Sequence, residues 1–382
     1  MARFALAADA FVLPDRLARG GYLVVEDGQF GAWSEERPAC DVVDLGDAWV
    51  APGYVDTHIH GFYGHATTDA DAAGLHEASR ELARRGTTSW LPTTFTDGAE
   101  QIADACEAIA DAAQMDDGTC AHIQGIYLEG PFFSEKHKGA QNPAYLRDPD
   151  IDLLHEWQCR ARGLIRKSAL APERAGSLTY TLAATSEGVR VCLGHNDATF
   201  DEAMAAVEAG ASVFVHTYNG MSGFTHREPG CVGAAWLSEG TYAEVICDGL
   251  HSRPEAVKVL LAMRGWEHVV PISDCLGCGG LPEGNYMSGG LPVVMRDDAC
   301  YLVEGGNLAG SVLVLAKGVR NLADWGLVTP EQAVRMATEV AATSAGIDDV
   351  CGSIREGRAA DFNVLSPELD VRATYVNGTQ VA

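Results

Sequence analysis

Lysine is scarce in this sequence, and positive charge is in the minority. Of 382 residues, 27 are lysine or arginine, only five of these are lysine, and 53 are aspartate or glutamate, so the formal net charge is −26. A chain this acidic repels phosphate backbones and anionic lipid surfaces, which excludes nucleic acid and membrane surfaces as expected partners. An anionic substrate would need cations supplied locally by individual side chains.

Long hydrophobic runs are also missing. No stretch of 18 apolar residues occurs, so no membrane span is expected. Residues 1–9 show no cleavage-type segment. The eleven cysteines are an odd number scattered among apolar residues, which is typical of reduced, buried thiols in a cytoplasmic protein. The one close pair, Cys275 and Cys278, lacks the second pair that a zinc or redox motif would need.

The two ends of the chain share a pattern of short strands. Residues 1–50 alternate apolar and polar positions around an Asp27-Gly28 turn signal, and the last 30 residues look alike. No helix-length period is visible in either part. We therefore predict that residues 1–50 and 350–382 meet in one small β-domain.

Between these ends, residues 51–349 alternate strands with amphipathic helices. Pro254 at the first position of one helix and the capping-box pattern from Thr329 to Gln332 mark helix starts. Eight strands alternating with helices predict an α/β fold of the (β/α)₈ TIM-barrel type. The predicted strands are 48–59, 87–94, 123–128, 164–170, 190–193, 212–215, 242–247 and 269–273.

Metal-ligand side chains recur where these strands end. His58 and His60 are two apart and point to one side of a strand. Each histidine taken alone is explained equally well as an ordinary strand-end residue. Active sites of such barrels lie at the strand ends, however, so the recurrence of ligand-type residues there predicts a metal site. The other strand-end residues are Glu129, His195, His216, His251 and Asp274.

This set suits a hydrolytic metal centre. Imidazole nitrogen and carboxylate oxygen are ligands for zinc or iron. Glu129 can bridge two ions, one held with His58 and His60 and the other with His195 and His216. A bound metal lowers the pKa of its water and polarises a carbonyl. Asp274 would then take the water proton as base and return it to the leaving group as acid.

Several segments, in order along the whole chain, resemble the amidohydrolase superfamily and, within it, the family of N-acetylglucosamine-6-phosphate deacetylases. The resemblance implies a barrel with a small β-sandwich built from both termini. It also implies hydrolysis of the acetamide of an N-acetyl amino-sugar 6-phosphate, which releases acetate. The segments are 52–61, 128–132, 170–173, 194–195, 216–221, 227–230, 248–251, 273–274 and 308–311.

The resemblance also implies roles for single residues. Asp274 matches the acid/base, and Arg227 matches a phosphate contact, with Asn219, Gly220 and His251 also at the sugar phosphate. Arginine binds phosphate through paired, charge-assisted hydrogen bonds. The metal ligands matched are Glu129, His195 and His216, and retention of both His58 and His60 makes one or two divalent ions per subunit, zinc or iron, the expected cofactor. The family further implies a homodimer.

The chain departs from the family at one predicted substrate contact. Gln141 stands where many members carry a histidine that contacts the acetyl carbonyl; its amide can donate a hydrogen bond but cannot become a cation. Lys167 on the fourth strand lies where other amidohydrolases carry a bridging lysine, and we expect it to be structural. Three alternatives stay open: the galactosamine epimer as substrate, a cyclic amidase such as a dihydroorotase-like enzyme, and a non-catalytic protein of this fold.

Overall fold

The computed structural model describes residues 3–382, and a parallel barrel forms its centre. Eight strands pair in parallel and in chain order, from the first to the eighth. The seam closes just past the strand ends, where Asp274 N donates to His58 O (2.9 Å) and His60 N donates to Cys275 O (2.8 Å). The predicted barrel is confirmed. Its strands are Tyr54–Ile59, Thr87–Thr94, Ile126–Phe132, Ile165–Leu170, Arg190–Leu193, Val213–Phe214, Tyr242–Ile246 and Val269–Ile272.

Helices connect the barrel strands and bury their apolar faces. The predicted capping box is present, because Gln332 N donates to Thr329 Oγ1 (3.2 Å) and Thr329 N donates to Gln332 Oε1 (2.9 Å). The helix it starts passes through a π-helical turn, Met336–Val340. The α-helices are Ala72–Ala83, Ala99–Gln114, Ile151–Arg160, Ser177–Ser186, Phe200–Glu208, Gly230–Leu237, Pro254–Arg264, Leu315–Asp324, Pro330–Arg335 and Ala341–Ala345, and the 3₁₀ turns are Glu135–His137, Pro143–Tyr145 and Trp266–His268.

Both ends of the chain meet in two small sheets, as predicted. A cluster that includes Phe11, Val50 and Phe362 from the larger sheet and Leu6 and Leu23 from the smaller one fills the space between them. In strand order, the larger sheet is Thr379–Gln380, Val371–Val376, Phe362–Leu365, Trp49–Pro52, Ala10–Val12 and Leu17–Arg19, and the smaller is Gln29–Ser34, Tyr22–Glu26, Arg3–Ala7 and Asp41–Asp44.

The predicted continuous strand 48–59 is wrong in one respect. It divides at Gly53 into Trp49–Pro52, which belongs to the terminal sheet, and Tyr54–Ile59, which belongs to the barrel. A Cβ on Gly53 would lie 2.0 Å from Thr88 Oγ1, so only glycine lets the chain pass this close to the second barrel strand. The terminal sheet and the first barrel strand are therefore joined through one residue.

A three-stranded antiparallel sheet after the eighth barrel strand has no counterpart in the sequence prediction. Its strands are Gly284–Ser288, Leu291–Arg296 and Ala299–Leu302. Its core includes Cys278 and Cys300, whose Sγ atoms lie 4.0 Å apart. All eleven cysteines are free and nine are buried, Cys40 and Cys159 being the exceptions. Short strands complete the described chain at Gly61–Phe62, His65–Ala66 and His122–Ile123.

A helix must be long and apolar to cross a bilayer. None of the helices within residues 3–382 is long and apolar enough to cross a membrane.

Candidate metal centre

The ends of the barrel strands bring six predicted residues into one buried cluster. Two groups of three can each offer ligand atoms that lie within 4.8 Å of one another. Their spacing along the chain, from residue 58 to residue 274, shows that only the barrel brings them together. One group is His58, His60 and Asp274, and the other is Glu129, His195 and His216, all buried.

Glu129 lies between the two groups and contacts both. Its Oε1 is 3.3 Å from His195 Nε2 and 3.0 Å from His216 Nε2, while its Oε2 is 3.2 Å from His60 Nε2. His58 Nε2 lies 3.4 Å from Oε1. The two Nε2 atoms of His195 and His216 are 3.1 Å apart, close to the about 3.3 Å between two nitrogens on one tetrahedral zinc. Glu129 is therefore placed to bridge two ions.

The outer nitrogens of the four histidines also suit metal binding. Each Nδ1 donates to an acceptor, so each Nε2 keeps its lone pair for the cluster. His58 Nε2 is buried and has no hydrogen-bond partner within the described chain. This donor set therefore fits a divalent cation. The acceptors are Glu244 Oε2 for His58 (3.1 Å) and the backbone oxygens of Thr93 for His60 (3.0 Å), His137 for His195 (2.9 Å) and Asn219 for His216 (3.1 Å).

The electrostatics of the cluster favour positive charge at its centre. Burial raises the pKa of Glu129, but the surrounding histidines outweigh it and hold that pKa well below its usual range. Burial likewise raises the pKa of Asp274, and the charges of His58 and His60 outweigh it. Two buried carboxylates thus remain ionised only beside cations. A divalent ion bound by neutral imidazoles would supply that charge.

Three of these residues occupy a strained backbone conformation. The φ angles of His195, His216 and Asp274 are 47°, 28° and 51°, in the left-handed region that non-glycine residues rarely adopt. Such strain concentrates at functional sites, where surrounding contacts hold it. Gly220, with φ 59°, passes so close to His195 that a Cβ would lie 2.9 Å from His195 Nδ1. Glycine is thus required where the sequence pattern predicts a substrate contact.

A cavity opens onto the cluster from the mouth of the barrel. Phe95, which the sequence reasoning missed, lines it and stacks on His60 with ring centroids 3.8 Å apart. Leu308 and Gly310 line it as well. Of the predicted residues, those that line the cavity are His60, Glu129, Gln141, His195, His216, Asn219, Gly220, His251 and Asp274.

Gln141 is buried beside Glu129 and is held at both ends of its amide. Its Nε2 donates to Glu129 Oε2 (2.6 Å), and its Oε1 accepts from Thr96 N (2.8 Å). The side chain therefore orients the Glu129 carboxylate as well as lining the cavity. Its contact with a substrate stays a prediction.

Of the four residues predicted at the sugar phosphate, His251 and Arg227 lie in different surroundings. His251 lines the cavity and donates from Nδ1 to Asp248 Oδ2 (2.6 Å). Arg227 lies on an exposed loop outside the cavity lining, and it has no carboxylate within 4 Å among residues 3–382. Its neighbour Glu228 instead accepts from Phe200 N and Gly230 N. The structure thus brings His251 to the site and leaves Arg227 outside it.

Sequence reasoning missed Glu244, which supports the cluster from inside the barrel. Glu244 contacts His58 and pairs with Lys167, and both side chains are fully buried. The pattern of these strands shows only that the two positions are interior, because a buried charge leaves no mark on periodicity. Phe95 directly follows the second barrel strand, so the reading of strand ends that found the histidines would have found it too.

A barrel with histidines and carboxylates converging at the carboxyl ends of its strands defines the class of barrel hydrolases. The chain belongs to the amidohydrolase family, which its residues 49–230 and 286–381 match.

Individual deacetylases are similar to the chain over most of its length. The chain is 35% identical to an N-acetylglucosamine-6-phosphate deacetylase of Bacillus subtilis (strain 168), over 97% of this chain and 94% of that one. It is 38% identical to an N-acetylgalactosamine-6-phosphate deacetylase of Escherichia coli O157:H7, over 86% of each. A Mycobacterium smegmatis N-acetyl-D-glucosamine-6-phosphate deacetylase mutant, solved with N-acetyl-D-glucosamine-6-phosphate, superposes with a TM-score of 0.94 at 29% identity over 100% of both chains.

Proposed function

We propose that this protein hydrolyses the acetamide of an N-acetyl amino-sugar 6-phosphate, with N-acetyl-D-glucosamine 6-phosphate as the first candidate. The products are acetate and D-glucosamine 6-phosphate. The observation that carries the proposal is the convergence of His58, His60, His195, His216, Glu129 and Asp274 in one buried cluster beside the cavity. The chain also matches deacetylases of such sugars over most of its length.

The residues proposed to hold divalent metal are those of the two groups. His58 and His60 would hold one ion, His195 and His216 the other, and Glu129 would bridge them. Bound metal supplies Lewis acidity, which polarises the acetyl carbonyl and makes the attacking water more acidic. Because Gln141 donates to Glu129 Oε2, it keeps the carboxylate oriented toward both positions.

Asp274 is proposed as the acid/base. Its Oδ1 lies 3.2 Å from His60 Nε2 and 3.5 Å from His58 Nε2 at the wall of the cavity. The main chain holds it on both sides, because Asp274 N donates to His58 O and Ser311 N donates to Asp274 O (2.7 Å). Asp274 takes a proton from water as the C–O bond forms. It then donates that proton to the amine nitrogen as the C–N bond breaks.

The sugar phosphate would lie at the far side of the cavity, along Asn219, Gly220 and His251. The chain is strongly acidic, so a phosphate needs specific cations to bind it. His251 supplies one at the cavity, and Arg227 is proposed as a second because no carboxylate within the described chain occupies its guanidinium.

The test compares N-acetylglucosamine 6-phosphate with the unphosphorylated sugar. We expect a strong preference for the phosphorylated compound. Arg227→Ala should raise KM for it about ten- to a hundredfold, since an arginine–phosphate hydrogen bond contributes about 1.5–3 kcal/mol. The same variant should leave kinetics on the uncharged sugar nearly unchanged. Steady-state assay of released acetate with both substrates measures this.

Arg253→Ala is the matched control, because Arg253 is exposed and already paired with Glu255 (3.2 Å). It should behave as wild type. Equal rates on both sugars would count against the phosphate as a recognised group. A parallel loss on both substrates in Arg227→Ala would reject only the assignment of that residue.

The pH dependence of KM should follow the protonation state of His251. Burial lowers the pKa of His251, but its hydrogen bond to Asp248 outweighs burial and leaves the pKa above the ordinary histidine value. The imidazolium, which binds phosphate, therefore persists to a higher pH and is lost as pH rises through that raised pKa. Above pH about 7 the phosphate is a dianion throughout. In that range we expect KM for the phosphorylated sugar to rise with pH.

Asp248→Asn removes the group that raises this pKa, so the increase in KM should begin at lower pH. The profile with the unphosphorylated sugar is the control and should not show the same increase. Identical KM profiles for wild type and Asp248→Asn would remove His251 from phosphate binding.

The galactosamine epimer is the second candidate substrate. It is favoured by the 38% identity to a deacetylase of N-acetylgalactosamine 6-phosphate. Assay with both epimers at equal concentration decides between them, and the ratio of the two kcat/KM values is the quantity to measure.

The residues of the proposed centre agree less well with a cyclic amidase or with a non-catalytic protein. The lysine-bridged amidases need a lysine at the ions, whereas Lys167 pairs with Glu244 inside the barrel. Glu129, which contacts all four histidines, is instead proposed for the bridging position. A protein that had lost catalysis would be expected to lose ligands, and here the full set is present. Metal analysis with activity assays before and after adding zinc or iron addresses both alternatives.

Further properties are proposed on the family resemblance. The metal would be zinc or iron, with one or two ions per subunit. The protein would act as a homodimer in the cytoplasm. Elemental analysis tests the identity and number of the metal ions, and light scattering tests whether the protein is a homodimer.

A further inference from the structure

A buried ion pair lies inside the barrel directly beneath the metal centre. Lys167, on the fourth barrel strand, pairs with Glu244 on the seventh, and both side chains are 0% exposed. Barrel interiors are filled mainly by branched apolar side chains. Because desolvation offsets most of the attraction in such a pair, a buried ion pair adds little to stability. Its place below the ligands indicates a role in the centre.

The contacts of this pair converge on one ligand. Glu244 Oε1 accepts from the Lys167 ammonium, and Oε2 accepts from His58 Nδ1 (3.1 Å). Lys167 Nζ also donates to the backbone oxygen of Thr57 (3.2 Å), the carbonyl that precedes His58. It lies 4.1 Å above the ring of Tyr127, which packs edge-on against the His58 imidazole at 4.9 Å. The ring, the carboxylate and the preceding carbonyl thus fix the position of His58.

The other three ligand histidines are held differently. His60, His195 and His216 each donate from Nδ1 to a neutral backbone oxygen. Of the four, only His58 has a carboxylate as the acceptor of its Nδ1 proton. A carboxylate makes the imidazole a stronger ligand and fixes its tautomer more firmly than a carbonyl does. Lys167 in turn holds that carboxylate and balances its charge.

We propose that Lys167 and Glu244 are positioning residues for His58, and that they strengthen cation binding at the position formed by His58, His60 and Asp274. The second position, formed by Glu129, His195 and His216, does not depend on them, because its histidines are held by the main chain. This inference rests on the metal centre proposed above.

The experiment replaces both charges together, by Lys167→Met with Glu244→Leu. Apolar residues of similar volume preserve packing without leaving an unpaired charge, so the variant should fold, which circular dichroism checks. Apoprotein is then titrated with Zn²⁺ by calorimetry. We expect two binding events in wild type. In the variant, one event should weaken about 10- to 100-fold while the other stays unchanged.

Two further variants make the result specific. Lys167→Met with Glu244→Gln keeps a neutral acceptor for His58 Nδ1, so it should weaken the same event less. Arg335→Met with Glu331→Leu removes a partly buried ion pair (3.0 Å) that does not touch the centre, and both events should keep their wild-type affinity.

The outcomes separate this inference from the proposed function. Wild-type affinity for both ions in the Met/Leu variant, or equal weakening of both events, would overturn the positioning role. If that variant unfolds, the Met/Gln variant decides by the same criterion. A wild-type protein that binds no Zn²⁺, or shows only one event, would overturn the two-position centre itself and the inference with it.

Discussion

Asp274→Asn should lower kcat about 10²- to 10⁴-fold, the range expected when a general acid/base is removed. The asparagine amide has nearly the same shape, so the main-chain contacts around residue 274 should persist. It cannot accept the water proton at neutral pH, and it has none to give to the amine. Because attack and departure both depend on this proton, a loss confined to KM is not expected.

Metal content distinguishes a lost proton carrier from a lost ligand. Asp274 also belongs to one of the two candidate ligand groups, so an ion bound by Glu129, His195 and His216 would be the informative one. We expect the variant to retain that ion, as measured by elemental analysis. Asp324→Asn, an exposed carboxylate paired with Arg320, is the control and should leave kcat unchanged. Near-normal turnover by Asp274→Asn would remove Asp274 from the acid/base role.

The barrel and the centre could be predicted because both depend on patterns that repeat. Strand and helix alternate along the middle of the chain, and in a parallel barrel every strand ends at the same face. Reading residues at those ends therefore placed His58, His195 and Asp274 together although more than 200 residues separate the first from the last. The terminal sheets followed from short strands and the Asp27-Gly28 turn, where Glu26 pairs with Gln29.

What was missed depends on contacts that a single sequence does not record. The break at Gly53 follows from the approach of Thr88, a neighbour that only the folded barrel supplies. The Lys167–Glu244 pair joins strands far apart in the chain. The sequence predicts only a structural role for Lys167, and nothing in its own strand marks Glu244. The sheet after residue 283 lies outside the alternating pattern, which had already been assigned eight strands.

The position of Arg227 is a further feature that the sequence does not determine. The sequence resemblance assigns it to phosphate, yet the described chain places it on an exposed loop outside the cavity. A motif identifies the residue type and the neighbourhood along the chain, but its distance from the ligand depends on how the loop lies. For this reason its role rests on the KM comparison with phosphorylated and unphosphorylated sugars.

Glu129→Gln should have the largest effect, because Glu129 contacts the histidines of both candidate ligand groups. Its carboxylate lies within 3.4 Å of the Nε2 atoms of four histidines. Glutamine removes the negative charge and turns an NH₂ group toward nitrogens that must keep their lone pairs. Neither ion should then bind tightly. We expect kcat to fall about 10³- to 10⁴-fold, as loss of several kcal/mol of Lewis-acid stabilisation implies.

Adding metal to the variants tests whether the fall in kcat is caused by weakened metal binding. Excess Zn²⁺ or Fe²⁺ should restore little activity to Glu129→Gln, whereas Glu129→Asp, which keeps the charge on a shorter side chain, should recover part of it. Glu187→Gln, at an exposed pair with His155 (2.9 Å), is the control and should match wild type in metal content and rate. A Glu129→Gln protein that kept two tightly bound ions would show that the bridging carboxylate does not hold the centre together. Full activity without bound metal would remove metal from the reaction, since the remaining groups of the cavity would then suffice to activate water.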